Sequence, residues 1–330
     1  MYAKFYGLAA PPFQLTPDAR FFFESTVHRQ AMAYLVYGLH HAEGFIIITG
    51  EVGAGKTILV DNLLSTIDQS NFITAKIVTT QLAGDDLLHL VAGGFGIGKE
   101  GLAKGSLLQR ITDFVLAQQR NGRRVLLIVD EAQNLSFEAL EELRMLSNIV
   151  VDKTMALQSF LLGQPQFRAI LGSPRLEQLR QRVTAAYHLG PLNEAETRAY
   201  VEHRLRRADW KGDPQFTEDC FPLIYRHTGG VPRQINTLCS RLLLFGFLEE
   251  LHTLKESAVE RVANDLRQEI AVVTVEPAVS VSPAEPDGKS DSESQVAQRL
   301  SVLEESVQRQ GRVIKRAIEI AASYFQGERP

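Results

Sequence analysis

The chain has 330 residues, 45% apolar and 22% charged, with a net charge of −4. That is globular composition with enough apolar material for a sizeable core in one large or two to three smaller domains. It carries no basic excess of the kind that marks a nucleic-acid binder, and no run of about 18 apolar residues of the kind that crosses a bilayer.

The N-terminus, Met1-Tyr2-Ala3-Lys4-Phe5-Tyr6, lacks the basic and long apolar regions of a signal peptide. Residues 1–27 form an arm rich in Phe and Pro (Pro11, Pro12, Phe13, Pro17, Phe21, Phe22, Phe23). Such rings either pack near a bound base or cover the flank of the next domain. Helical pattern runs from His28 to about His41. The apolar run Phe45-Ile46-Ile47-Ile48-Thr49 reads as a first buried strand, and Phe72–Val78 as a second. Helices are expected near 84–95 and 105–120. Val125–Val129 is a third strand, followed by a helix over 138–148. Leu157–Leu162 is a fourth strand, and 186–189 fits a short last one. Strands alternating with helices argue a parallel α/β sheet.

From Asn193 the strand pattern stops. Helices near 194–208, 217–227, 232–248 and 255–270 make a small all-α domain. Cys220 and Cys239 fall in its apolar pattern, in no metal-ligand spacing. They read as buried free thiols of a reducing compartment. Residues 271–292, with Pro277, Pro283, Pro286 and Gly288, have the composition of a disordered linker. Beyond it, within 293–325, Val296, Leu300, Leu303, Val307, Ile314 and Ala321 follow a heptad. That pattern suits a weak coiled coil or a lone solvated helix.

The chemistry begins at Gly50-Glu51-Val52-Gly53-Ala54-Gly55-Lys56-Thr57, between the first strand and Ile58-Leu59-Val60. Glycines let backbone N–H groups close on phosphates, and the helix N-terminus adds a positive dipole end. Lys56 is placed to reach the β- and γ-phosphates and Thr57 to hold Mg²⁺. A chance match to this pattern has a probability of roughly 1% in such a chain. The third strand delivers Asp130 and Glu131 at its C-terminal edge, where open α/β sheets bind ligands. Asp130 suits Mg²⁺ through water, and Glu131 suits polarising an attacking water. Gln164, in Gly163-Gln164-Pro165 at the end of the fourth strand, is placed to orient that water or sense the γ-phosphate. Arg180 and Arg182, in Leu179-Arg180-Gln181-Arg182-Val183, are candidates to complete a neighbour's site in trans. Gly229-Gly230-Val231-Pro232-Arg233 ends one helix and starts the next, placing Arg233 in a first turn where it can touch phosphates.

In this order the motifs resemble the AAA+ ATPases of the general secretion pathway A type. Within that type the chain looks most like the ATPase associated with the exosortase A/PEP-CTERM system. Pro12-Phe13-Gln14-Leu15-Thr16-Pro17-Asp18, Ala31–Leu39 and Leu243–Glu250 carry the likeness further, over about residues 1–270. The resemblance implies a P-loop NTPase of the AAA+ class. Its core would be a parallel five-stranded sheet flanked by helices over 28–192, with a C-terminal all-α lid over 193–270. Lys56 and Thr57 would then be Walker A, Asp130 and Glu131 Walker B, Gln164 sensor 1 and Arg233 sensor 2. Arg182 is preferred over Arg180 as the finger. The nucleotide would touch the whole stretch Gly50–Ile58 together with Asp130, Pro232 and Arg233.

The resemblance further implies ATP and Mg²⁺ as cofactors and a homo-oligomer of about six subunits. It implies a cytoplasmic location, peripheral at the inner membrane through an envelope-associated protein partner. Its setting would be exopolysaccharide production and protein sorting. Nucleic acid is not expected as a partner. A nucleotide-gated switch with little hydrolysis and a DNA-transposition regulator of related type are the competing readings. Ile58 stands where the family usually places a second hydroxyl, and Ile149-Val150-Val151 replaces a more polar stretch. The membrane span and peptidoglycan-binding region of secretion relatives have no counterpart here, so a role in building an outer-membrane port is not expected.

Overall fold

The computed structural model describes residues 1–16, 18–41, 44–68, 70–79, 84–98, 103–151 and 154–274. Its centre is a five-stranded sheet of β1 (Phe45–Gly50), β2 (Phe72–Val78), β3 (Arg124–Asp130), β4 (Leu157–Gly163) and β5 (Val183–Leu189). The spatial order is β2-β3-β4-β1-β5, and every neighbouring pair is parallel. β1, β3 and β4 are apolar almost throughout because both faces are covered.

On one face lie α1 (Thr26–His41) and α2 (Lys56–Thr66), which pack Leu35, Leu39, Leu59 and Leu63 against Ile46, Ile48, Ile128 and Phe160. On the other lie α3 (Gly84–Gly94), α4 (Lys104–Arg120), α5 (Phe137–Leu146) and α6 (Gln166–Leu171). These place Leu88, Ile111, Leu140 and Phe167 against Ile47, Leu127, Val129 and Leu161. Alternate strand residues feed the two cores, as the two-residue period of a strand requires.

The helical lid follows, with α7 (Glu194–Arg207), α8 (Cys220–Thr228), α9 (Pro232–Leu248) and α10 (Glu256–Thr274). Asn193 starts it with a capping box: its side chain accepts the Glu196 N–H while the Glu196 carboxylate accepts the Asn193 N–H. Pro232 opens α9 after the left-handed Gly229 and Gly230, where a missing N–H costs nothing. The lid core gathers Val201, Leu205, Ile224, Ile235, Leu242 and Val259, and the N-terminal arm enters it with Tyr6, Leu8, Phe13 and Phe21. The arm therefore shares the core of the lid, the segment farthest from it in the described sequence.

Several boundaries differ from the sequence expectation. β5 begins at Val183, three residues before the expected 186, with a register shift opposite Phe45/Ile46 that sequence pattern does not reveal. α5 ends at Leu146, and the apolar Val150-Val151 pairs antiparallel with Thr154-Met155 in a small hairpin. The lid is not wholly helical: Gln215-Phe216 pairs in parallel with Thr253-Leu254. α8 starts at Cys220 rather than 217, after a turn in which the Cys220 N–H donates to the Thr217 carbonyl. The last helix runs to Thr274, so 271–274 are helical rather than linker; the first helix-breaking residue beyond them is Pro277. The remainder of the expected linker and the heptad segment lie outside the described residues. Cys220 and Cys239 are buried free thiols, and burial pushes both thiol pKa values up.

Candidate nucleotide site

β1 delivers the glycine-rich loop at its C-terminal end, and the loop closes by left-handed turns at Gly53 (φ 83°) and Gly55 (φ 100°). Only glycine adopts these without strain. Gly53 has a second reason to lack a side chain: a Cβ there would sit 2.2 Å from Cβ of Arg233. Ala54 is buried beneath the loop and offers it only backbone. Gly55 caps α2, which starts at Lys56.

Lys56 is only 6% exposed. Its ammonium donates to the carbonyls of Gly50 (2.7 Å) and Glu51 (3.0 Å), which holds the head of the side chain inside the loop. Burial lowers its pKa, against the opposing pull of Glu131, Asp130 and Glu51. Thr57 donates its hydroxyl to Asp130 Oδ2 at 2.8 Å. This bond ties the start of α2 to the end of β3, so the two motifs meet as the sequence reading requires. The other Asp130 oxygen accepts the Glu131 N–H at 2.9 Å.

Glu131 has φ 56°, the left-handed region, uncommon for a non-glycine residue and costing of order 1 kcal/mol. Thr79 supports this backbone. Its buried hydroxyl lies 2.7 Å from the Glu131 carbonyl and 2.9 Å from that of Asp130. The Glu131 carboxylate is held on one oxygen only: Gln133 Nε2 (2.5 Å) and Gln164 Nε2 (3.2 Å) both donate to Oε2. Gln133 also accepts the Gln164 N–H at 2.9 Å, which locks the two amides together. Burial alone would raise the Glu131 pKa. The two amide hydrogen bonds and the Lys56 charge outweigh it and hold the pKa below the ordinary value of 4.5.

A cavity of about 340 Å³ opens over these groups. Its core side is His28, Val52, Gly53, Gly55, Lys56, Thr57, Ile58 and Glu131. Its lid side is Tyr200, Arg204, Pro232, Arg233 and Asn236, and the arm closes it with Gln14–Thr16 and Phe21–Phe23. Arg233 spans the junction: its N–H donates to the Gly53 carbonyl at 3.2 Å and its stem covers Gly53.

On the lid side stands Arg204, 7% exposed and without a carboxylate partner among the described residues. It donates to the Pro12 carbonyl (2.5 Å) and the Tyr200 hydroxyl (2.9 Å), and lies over the rings of Phe21 (4.9 Å) and Tyr200 (5.7 Å). Carbonyls and ring faces satisfy this buried charge.

Ile58, Pro232 and Arg233 thus line the cavity, whereas Glu51 is exposed and contributes its carbonyl to Lys56. Arg180 and Arg182 do not line it. Arg180 donates to the carbonyls of Leu171 (2.7 Å) and Ser173 (2.6 Å), fastening the end of α6, and Arg182 donates to Ser147 Oγ at 2.9 Å. Sequence reasoning missed Thr79, Gln133, Tyr200 and Arg204, and named Phe21 only as one ring of the aromatic arm. Gln133 alone had a visible signal, its place in Asp130-Glu131-Ala132-Gln133.

The donor set fits Mg²⁺. A hydroxyl and a carboxylate 2.8 Å apart are hard oxygen ligands, and no group of three or more His, Cys, Asp or Glu among the described residues offers a metal an all-protein cage. Thr57 and Asp130 would hold the ion. When bound it supplies positive charge to the phosphate oxygens.

Residues 39–171, which hold the phosphate loop and the acid pair, match the AAA domain family. The chain is similar to the general secretion pathway protein A of Aeromonas hydrophila, 38% identical over 267 residues, 81% of this chain and 48% of that protein. It is also similar to the Mu-like prophage FluMu DNA transposition protein B of Haemophilus influenzae, 30% identical over 129 residues, 39% of this chain and 42% of that protein. The chain thus spans about half the length of the relatives it matches. Among solved structures, the Aeropyrum pernix ORC2 protein in ADPNP-ADP complexes shares the fold, with a TM-score of 0.58 at 16% identity over 77% of this chain and 71% of that one.

Proposed function

We propose that the chain hydrolyses ATP with Mg²⁺ as a homo-oligomer and that each turnover changes the core–lid angle, which a protein partner reads. The observation that carries this is the convergence of Lys56, Thr57 and Glu131 on one cavity, with the buried Asp130 carboxylate accepting the Thr57 hydroxyl behind them. Glu131 supplies the base. Because both glutamines occupy Oε2, Oε1 remains to accept a proton from water. The proton passes to the carboxylate as water oxygen bonds to the γ-phosphorus, and the β–γ bridging oxygen leaves with ADP. Lys56 neutralises charge on the transferring group, and Arg233 carries its loss to the lid.

Arg182 is proposed as the residue that a neighbour would use. It would have to release Ser147 to do so, whereas Arg180 would have to give up two carbonyls that fasten α6. The test is steady-state phosphate release across protein concentration. A rate per subunit that rises with concentration and flattens in Arg182→Ala supports a shared site. A rate independent of concentration overturns the trans contribution.

Similarity to the secretion protein supports a cytoplasmic ATPase at the envelope, and the motif likeness favours the exosortase A/PEP-CTERM setting with exopolysaccharide production. A nucleotide-dependent pull-down with Glu131→Gln tests that assignment: recovery of sorting or polysaccharide-export proteins supports it. The likeness to a DNA transposition protein favours a second reading, a nucleotide-dependent DNA binder. The net charge of −4 argues against it. Tight, salt-sensitive DNA binding with ATP at physiological salt would establish that second reading instead.

A further inference from the structure

Beside the hydrolytic groups, the described residues hold a buried histidine under the phosphate loop and a carboxylate shared by two helices. His28, 4% exposed, lies in the first turn of α1. Its Nδ1 is 2.7 Å from Ser25 Oγ, and Phe22 stands edge-on to its ring. Its Nε2 faces the loop: a Cβ at Gly55 would lie 2.7 Å from it, and the ring hydrogen-bonds the Ala54 main chain. Burial favours the neutral ring. With Nδ1 accepting the Ser25 hydroxyl, Nε2 carries the proton toward Ala54. Gly55 is therefore glycine for two reasons, its φ of 100° and the imidazole against its Cα.

Glu196 lies in the first turn of lid helix α7. Its Oε2 accepts the Asn193 N–H (3.3 Å) of its own capping box. Its Oε1 accepts the Thr26 N–H at 2.8 Å, across 170 positions of sequence. One carboxylate thus caps a lid helix and a core helix together. It does so beside Asn193, where the chain passes from β5 into the lid, and two residues from His28.

We propose that Glu196, Ser25 and His28 form a positioning relay that couples the lid hinge to the phosphate loop, so that nucleotide affinity follows the lid angle. The proposal rests on the nucleotide-site reading above. Rotation of the lid about residues 190–193 moves Glu196, which holds the start of α1; Ser25 and Thr26 there hold His28, which supports Ala54 and Gly55. The coupling needs no contact between Glu196 and the nucleotide, and Glu196 does not line the cavity.

A double-mutant cycle on the full chain tests it, with fluorescent ADP as probe and thermal melts alongside. His28→Phe, which keeps the ring and removes the donor, and Glu196→Ala are each expected to weaken binding about tenfold. The double variant is expected to lie within about threefold of the weaker single one, because both break one path. His28→Gln, which retains an N–H donor, is expected to stay within about threefold of the unaltered protein, and it replaces His28→Phe if that variant does not fold. Glu202→Ala, on the outer face of the same helix, is expected to change nothing. Additive losses of about a hundredfold, or an unchanged affinity in Glu196→Ala, would overturn the relay. Lys56→Ala separates the two levels. If it binds ADP as well as the unaltered protein, the site reading fails; if only Lys56→Ala loses binding, the relay alone fails.

Discussion

The two ends of the cavity are built on opposite plans. The phosphate end is built from two short stretches, the loop and helix start at 50–58 and the strand end at 130–131, held by backbone carbonyls, glycine φ angles and short charged hydrogen bonds. The arm–lid end is assembled from residues 12–23, 200–204 and 232–236, held by ring faces and one buried guanidinium. The first presents backbone N–H groups and a buried ammonium, the second ring faces and a buried guanidinium. Because the arm shares the core of the lid, the far end of the cavity belongs to the lid, and the phosphate end to the sheet.

The largest expected effect breaks the packing end. Phe21→Ala removes a ring that is 3% exposed and lies under Arg204, and is expected to cost about 3–5 kcal/mol in denaturant melts. Lys56→Ala is expected to cost little stability and to weaken nucleotide binding about 100-fold, read by titration. If Lys56→Ala destabilises as much as Phe21→Ala, the contrast between a charge-built and a packing-built end is wrong.

The smallest effect is in pH. The Glu131 pKa is depressed, so its contribution to stability is fully present above the unfolded value near 4.5 and is lost as pH falls through the lower folded value. Turnover that depends on this carboxylate should stay level down to about pH 5. Gln133→Ala removes the shorter of the two hydrogen bonds to Glu131 Oε2, which lowers this pKa, and should move the acid limb upward, as a pH–rate profile will record.

The same division explains what could be read from the chain alone. The strand–loop–helix motif and the acid pair are local, and the structure brings Thr57 and Asp130 together as their chemistry demands. The central strands β1, β3 and β4 announced themselves by buried apolar runs; the edge strand β2, expected to be buried, leaves Thr74, Lys76 and Val78 exposed, and β5, with its shifted register, was read too short. At the arm–lid end the only local signal was the aromatic composition of the arm, which did not say what the rings meet. Nothing in Pro12, Phe21 or Arg204 says that a carbonyl, a ring and a guanidinium meet across 192 positions. Gln133 was hidden for a subtler reason: its role depends on the left-handed turn at Glu131, which points both side chains to one place. Arg180 and Arg182 were named for a neighbour's site; within one chain they donate to two carbonyls and a serine.

The central claim is that this cavity hydrolyses ATP through the Glu131 carboxylate. Phosphate release and ATP affinity measured together in Glu131→Gln test it most directly. The side chain keeps its size and an acceptor for the Gln133 and Gln164 amides while losing the base. The account predicts ATP binding within about threefold of the unaltered protein and turnover reduced by about 10²–10⁴-fold. Undiminished phosphate release in that variant would contradict it.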